Sequence, residues 1–192
     1  MKQHAYLPCL PEVSWYLTRL KFGMDSYYSG SEPFEKQTTR NRFSILTANG
    51  IQWITIPVES THGISTPYSE VKISSEFRPK KILTAIKSAY GKSAYYDFAI
   101  DDLNSIFYSE EKMLFNFNQN LFNWTLTWCK NEFNNTIPLG VDSEIENIDF
   151  EFHSYLHVFS DRFSFHPNLS ILDVIFNKGR FDLNQLGCVK KS

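Results

Sequence analysis

Three cations stand close together in the stretch EKQTTRNRFSILTANGIQWITIPV, residues 35–58: Lys36, Arg40 and Arg42. A planar guanidinium makes bidentate bonds to a carboxylate or phosphate, so two of them beside a lysine form an anion cradle. If Arg40 or Arg42 lies over Trp53, an exposed cation–π contact adds on the order of 0.5–1 kcal/mol. Gln37 and Asn41 put amides next to the charges, suited to positioning a ligand by hydrogen bonds. A plainer reading is open at this point: Arg40 and Arg42 blunt an exposed edge strand.

Other polar groups carry weaker chemistry. Gly91-Lys92-Ser93 looks like the end of a phosphate loop, but that motif needs a glycine five residues earlier, where Ile86 stands. The glycine is predicted to end a helix, with Lys92 as a second anion contact. His153, His157 and Asp161 are spaced i, i+4, i+8, which on a helix would align metal ligands. The surrounding FHSYLHVFSDRFSFH is rich in phenylalanine and lacks the glutamate of HExxH, so packed or surface histidines are expected and no metal. There is no GxSxG, and no cysteine has an activating neighbour. Asp173 admits two readings, a buried general base or the third residue of a helix cap.

The elements that must position these groups follow from pattern. Residues 4–7 are predicted as a short strand. A helix beginning near Pro11 carries Val13, Tyr16, Leu17 and Leu20 at i, i+3, i+4, i+7, Gly23 ends it, and residues 24–28 form a second strand, a β-α-β start. Asn49-Gly50 predicts a two-residue hairpin turn. Counting outward pairs Ala48 with Ile51, Ile45 with Ile54, Phe43 with Ile56 and Asn41 with Val58. Phe43, Ile45, Ile54, Ile56 and Val58 then face the core, while Arg40, Arg42, Ser44, Leu46, Trp53 and Thr55 face away from it. Asn41 falls on the core side, where an amide must find partners.

Further strands and helices are expected at 68–74, 79–90 and 110–130, the last with Leu114, Phe117, Leu121, Trp124 and Trp128 as its stripe. Residues 134–151 read as a surface loop. Ser170 with Asp173 resembles a capping box, Leu169 with Val174 its staple, and Gly179 closes the helix SILDVIFNK. The fold class is α/β: a single mixed domain over 1–192, with the hairpin near 37–58 and a mainly helical C-terminal half.

The 192 residues are 42% hydrophobic and 16% aromatic, enough to bury a core, and the net charge of −2 lacks the basic excess of nucleic-acid binders. Cys9, Cys129 and Cys188 are sparse and odd in number, which fits a reducing compartment. No stretch approaches the roughly 20 apolar residues of a membrane span. A cytoplasmic protein without a nucleic-acid partner is expected.

Three phrases together resemble the WbqC-like family of bacteria, in its Bacteroidetes form: residues 35–58, IKSAYGKSAYY at 86–96, and FHPNLSILDVIFNKG at 165–179. Carried over by motif, the resemblance implies Lys36, Gln37, Arg40, Asn41 and Arg42 as binding residues from the first phrase. It adds Tyr90 and Ser93 from the second, and Asn168, Ser170, Asp173 and Asn177 from the third. The chain departs from the family pattern at Ser31, where a histidine is usual, at Arg78, Leu83 and Thr84, at His157 in place of glutamine, and at Lys178 and Arg180. The family occurs in O-antigen and other surface-polysaccharide gene clusters. The resemblance implies a transferase acting on an activated sugar, by acyl or aminoacyl transfer. In that reading the cations hold a small-molecule or sugar-linked anion, the amides orient the acceptor, Asp173 is the base, and no cofactor is needed. A second expectation keeps the same pocket without catalysis, as a binding or scaffold protein recognising an anionic metabolite or a protein partner. A third, a nucleotidyltransferase-like enzyme, rests on the β-α-β start alone, since no HxGH motif is present.

Overall fold

A computed structural model describes residues 6–22, 30–59, 65–131 and 148–190. In chain order the elements are α1 (Val13–Phe22), β1 (Arg42–Thr47), β2 (Gly50–Thr55), α2 (Pro79–Tyr90), α3 (Tyr96–Phe107), α4 (Leu114–Trp128), β3 (Phe150–Phe152), α5 (Ile171–Lys178) and β4 (Gly187–Val189). The architecture is mixed α/β, with two antiparallel ribbons, β1–β2 and β3–β4, set among five helices.

The opening differs from expectation. Tyr6 and Leu7 lie in no strand. Pro8 lacks an N–H, and Leu10 takes a left-handed φ of 46°, so the segment cannot sustain a ladder. Residues 24–28 lie outside the described residues. Helix α1 begins at Val13, two residues beyond Pro11, and buries Val13, Tyr16 and Leu17 as the spacing predicts.

The β1–β2 hairpin forms with its register moved by two. Thr47 faces Gly50, Leu46 faces Ile51, Ser44 faces Trp53, Phe43 faces Ile54 and Arg42 faces Thr55. Of the turn residues only Gly50 takes a positive φ, +100°, so Ala48 and Asn49 make the turn and glycine follows as a left-handed residue. A shift of two preserves the side-chain faces. The surroundings differ from expectation, however: β1 is buried on both faces, including Ser44 and Leu46, because α2 and α5 pack on it. Ser44 O accepts from Ser170 N at 3.3 Å, and Leu46 N donates to the Tyr90 hydroxyl at 3.2 Å. These two bonds seal the edge of β1 that β2 leaves free.

Residues 68–74 form no strand, against expectation. Tyr68–Glu70 form a 3-10 turn, and Lys72 and Ile73 then make isolated bridges to Met113 and Val58. Helix α2 matches its predicted span, with Ile82, Ile86, Ala89 and Tyr90 buried. Gly91 follows it with φ −61°, so the chain ends α2 without a left-handed cap. Helix α3 was not anticipated, although Tyr96, Ala99, Leu103 and Phe107 step by three and four and are buried. Helix α4 is shorter at both ends than 110–130. Of the expected loop at 134–151, residues up to 147 lie outside the described residues, and Phe150 already belongs to β3.

Helix α5 spans the predicted residues and ends at Gly179, φ +73°. Its capping box is half formed. Ser170 Oγ accepts from Leu172 N at 3.4 Å, but the Asp173 side chain turns away to accept from Tyr155. One apolar cluster joins all five helices to the first ribbon, and it includes Tyr16, Phe43, Ile86, Leu103, Leu121 and Phe176.

Candidate functional site

The loop before β1 bends sharply. Gln37 sits at φ +62°, a region uncommon for residues other than glycine and often found at functional loops. Thr38 Oγ1 donates to Glu35 O at 2.9 Å and accepts from Arg40 N at 3.4 Å, which folds the loop on itself. Arg40 then turns inward and is only 6% exposed. Its guanidinium carbon lies 3.7 Å from the centre of the Tyr6 ring and 5.8 Å from that of Tyr68. Glu35 is 3.7 Å from its Nη1, yet Nε and Nη1 are buried without a hydrogen-bond partner among the described residues.

The backbone beneath is tied by buried polar groups. Arg40 O accepts from Asn118 Nδ2 at 2.7 Å and from the Tyr68 hydroxyl at 3.3 Å. Asn118 also donates to the Tyr68 hydroxyl, which donates to Leu7 O at 2.9 Å. Desolvation holds the Tyr68 phenol well above its ordinary pKa, so it stays a neutral donor. Asn41 lies at the core side, as its register predicts, and Nδ2 donates to Ile56 O at 3.0 Å. It braces the start of the ribbon.

Arg42 emerges at the first residue of β1, with its guanidinium carbon 5.2 Å from the ring centre of Trp53. Its Nε is buried and has no hydrogen-bond partner among the described residues. Tyr6, Gln37, Thr38, Thr39, Arg42 and Trp53 line a cavity of about 460 Å³. Gln37 and the Arg42 guanidinium with its unpaired N–H thus converge beside an exposed indole, whereas the threonine hydroxyls are engaged, Thr38 with Glu35 O and Thr39 with Tyr6. An amide N–H and a guanidinium suit an oxyanion. Lys36 is exposed on the same loop and does not line the cavity.

The residues of the other two phrases assemble elsewhere. Asp173 is 2% exposed, and its Oδ2 accepts from the Tyr155 hydroxyl at 2.5 Å. The Tyr90 hydroxyl lies beside the carboxylate, whose Oδ1 is buried without a hydrogen-bond partner among the described residues. Burial raises the Asp173 pKa, an effect opposed by the Tyr155 bond, by the nearby Tyr90 hydroxyl and by His157. Both phenols are pushed well above their usual pKa, by desolvation first and then by the Asp173 charge. Asn177 Nδ2 donates to Asp173 O at 2.8 Å, and its Oδ1 accepts from Val158 N at 3.1 Å, so it ties the 155–160 segment to α5.

Asn168 and Ser170 serve the fold. Asn168 Oδ1 accepts from Ser14 N at 2.7 Å and Nδ2 donates to Glu12 at 2.8 Å, which caps α1 from across the molecule. Ser170 Oγ donates to Leu10 O at 3.0 Å. Ser93 is half-buried, with Oγ unpaired among the described residues. His153, His157 and Asp161 lie on no helix, so their spacing does not align them as ligands.

The cations and the carboxylate therefore belong to two clusters joined through β1: Arg42 is two residues from Ser44, which meets Ser170, and Leu46 meets Tyr90. Sequence reasoning missed Tyr6, Thr38 and Thr39 at the first cluster and Tyr155 at the second. The threonines were legible, standing inside the quoted phrase. Tyr6 and Tyr155 reach their places by tertiary packing, which no spacing encodes.

The model of the WbqC-like protein family matches residues 26–137, more than half of the chain. No curated protein and no solved structure matches it.

Proposed function

The chain belongs to the WbqC-like family, and from that premise we propose that the cavity beside Arg42 binds the phosphate or carboxylate of an activated sugar for a cytoplasmic transferase of surface-polysaccharide assembly. The transfer would be of an acyl or aminoacyl group. The observation that carries the reading is the buried, unpaired Nε–H of Arg42, in a cavity that also holds Gln37, Thr38 and Thr39. A buried donor without an acceptor costs roughly 1–3 kcal/mol, and an oxyanion seated in the cavity removes that cost. Arg40, stacked on Tyr6 beneath, adds positive potential without needing to touch the ligand. Lys36, exposed on the same loop, steers anions by charge.

Asp173 lies outside the lining of this cavity, bonded to Tyr155 with Tyr90 beside it. Its role in this reading is to position Tyr90 and the 155–160 segment, and a base acting on the acceptor would come from the acceptor's own amine or from Asp173 only after Tyr155 moves away. The same observation favours a second reading, in which the site recognises an anionic metabolite or an acidic protein segment and performs no chemistry.

Calorimetry with inorganic pyrophosphate tests the anion site. The parent is expected to bind, Arg42→Ala to lose binding by at least about tenfold, as expected for a lost charged hydrogen bond, and Arg42→Lys to fall between. Equal affinity in parent and Arg42→Ala removes the proposal. An unaltered surface polysaccharide in a strain lacking the protein would leave only the second reading.

A further inference from the structure

A second cavity, of about 410 Å³, lies on the other side of Trp53, between the outer edge of β2 and the start of α2. Trp53 lines both cavities and is 46% exposed. We propose that the two cavities form one bipartite site for a nucleoside diphosphate, with the phosphates at Arg42 and the base in the second cavity against Trp53. This rests on the anion reading above and extends it to the activating group.

The second cavity has the surface a heteroaromatic base requires. Its floor is apolar, made by Ile54, Pro57, Ile82 and Ala85. Its rim mixes donors and acceptors: the Gln52 amide, the Glu76 carboxylate and the Lys81 ammonium. A base has two apolar faces and a polar edge, so floor and rim match its two kinds of surface. The strand adds more. Ser44 O and Leu46 N point away from β2, so their non-hydrogen-bonded partners Trp53 and Ile51 present backbone N–H and C=O at the outer edge of the ribbon. β2 pairs only with β1 among the described residues, leaving those groups open beside the cavity.

Charge decides between a base and a second anion. Arg78 is on the rim, but its Nη1 donates to Ser75 O at 2.5 Å and Phe77 O at 3.0 Å. The Lys81 ammonium makes no hydrogen bond or ion pair among the described residues, and with the Arg78 guanidinium turned to its own backbone, this ammonium and the Glu76 carboxylate suit the carbonyls and amines of a base better than a phosphate. The cavity beside Arg42 differs: it holds a cation, hydroxyls and an amide with no carboxylate lining it.

Calorimetry with inorganic pyrophosphate, with the free nucleosides and with ADP, GDP, UDP and CDP tests the assignment. At least one diphosphate is expected to bind about 10-fold to 100-fold more tightly than pyrophosphate, the range of base stacking on an aromatic side chain. Trp53→Ala and Lys81→Glu should each reduce that advantage by about fivefold or more. Nucleoside diphosphates that bind no better than pyrophosphate, or an advantage that both variants retain, overturn the base cavity while leaving the anion site standing. Diphosphate binding that depends on Trp53 with no pyrophosphate binding keeps the base cavity and removes the anion cradle. Failure of all ligands removes both.

Discussion

Asp173 is a carboxylate kept from water, bonded to the Tyr155 phenol and left with one oxygen unpaired among the described residues. Its pKa is raised, so the contribution of this group to stability is full below its unfolded value and is lost as pH rises through the folded value. Asp173→Asn keeps the shape and cannot ionise. The melting temperature of the variant minus that of the parent should therefore increase as pH rises from about 4; a constant difference across that range would show an unshifted carboxylate. Asn168 tests another single residue. It caps α1 through Ser14 N while held at φ +64°. Asn168→Ala should cost about 1–2 kcal/mol in chemical denaturation, and Asn168→Gly less, since glycine tolerates the left-handed backbone. At this scale the pairing of Arg42 with Trp53 was legible, because alternation along a strand fixes which residues share a face. The partners of Asp173 were not: the Ser170-Asp173 spacing advertises a capping box, and a buried tyrosine distant in sequence outcompeted it.

Two glycines define how the functional elements end. At Gly179 a Cβ would lie 2.6 Å from the Tyr95 ring, and φ is +73°. Gly50, at +100°, has open space around it. Gly179→Ala should destabilise by well over 1 kcal/mol, through strain and clash together, whereas Gly50→Ala should cost about 1 kcal/mol from strain alone. Equal losses in denaturant melts would mean that Tyr95 moves aside freely. Helices α2 and α5 were legible to within a residue, having strong apolar periodicity and clear ends. Helix α3 was missed because the Gly91-Lys92-Ser93 motif just before it drew the reading, ahead of the stripe of Tyr96, Ala99, Leu103 and Phe107. The hairpin turn was misplaced by one residue for a related reason: an Asn-Gly pair serves either of two turns, and only the backbone of Asn49, which stays out of the positive-φ region, separates them.

The three recognisable phrases of the sequence meet in space around β1, and Tyr90 is the side chain at which they meet. Its hydroxyl accepts from Leu46 N in the first phrase and lies beside Asp173 in the third, while its ring packs 5.2 Å from Phe176. Tyr90→Phe should destabilise by roughly 1–3 kcal/mol by orphaning the Leu46 amide. The double variant with Asp173→Asn should fall short of additivity by at least about 0.5 kcal/mol; simple additivity would mean that the phenol and the carboxylate act independently. That these phrases converge was an inference from their polar content, and the long-range contact through Tyr90 has no local sequence signal. Trp53 stands apart from this enclosed centre. Trp15 and Trp124 are buried and Trp128 is half-buried, so Trp53 is the tryptophan most open to solvent. The ultraviolet emission of the chain accordingly carries one component open to a dissolved collisional quencher, and shielding of that component reports, without any label, when the space beside the indole is filled.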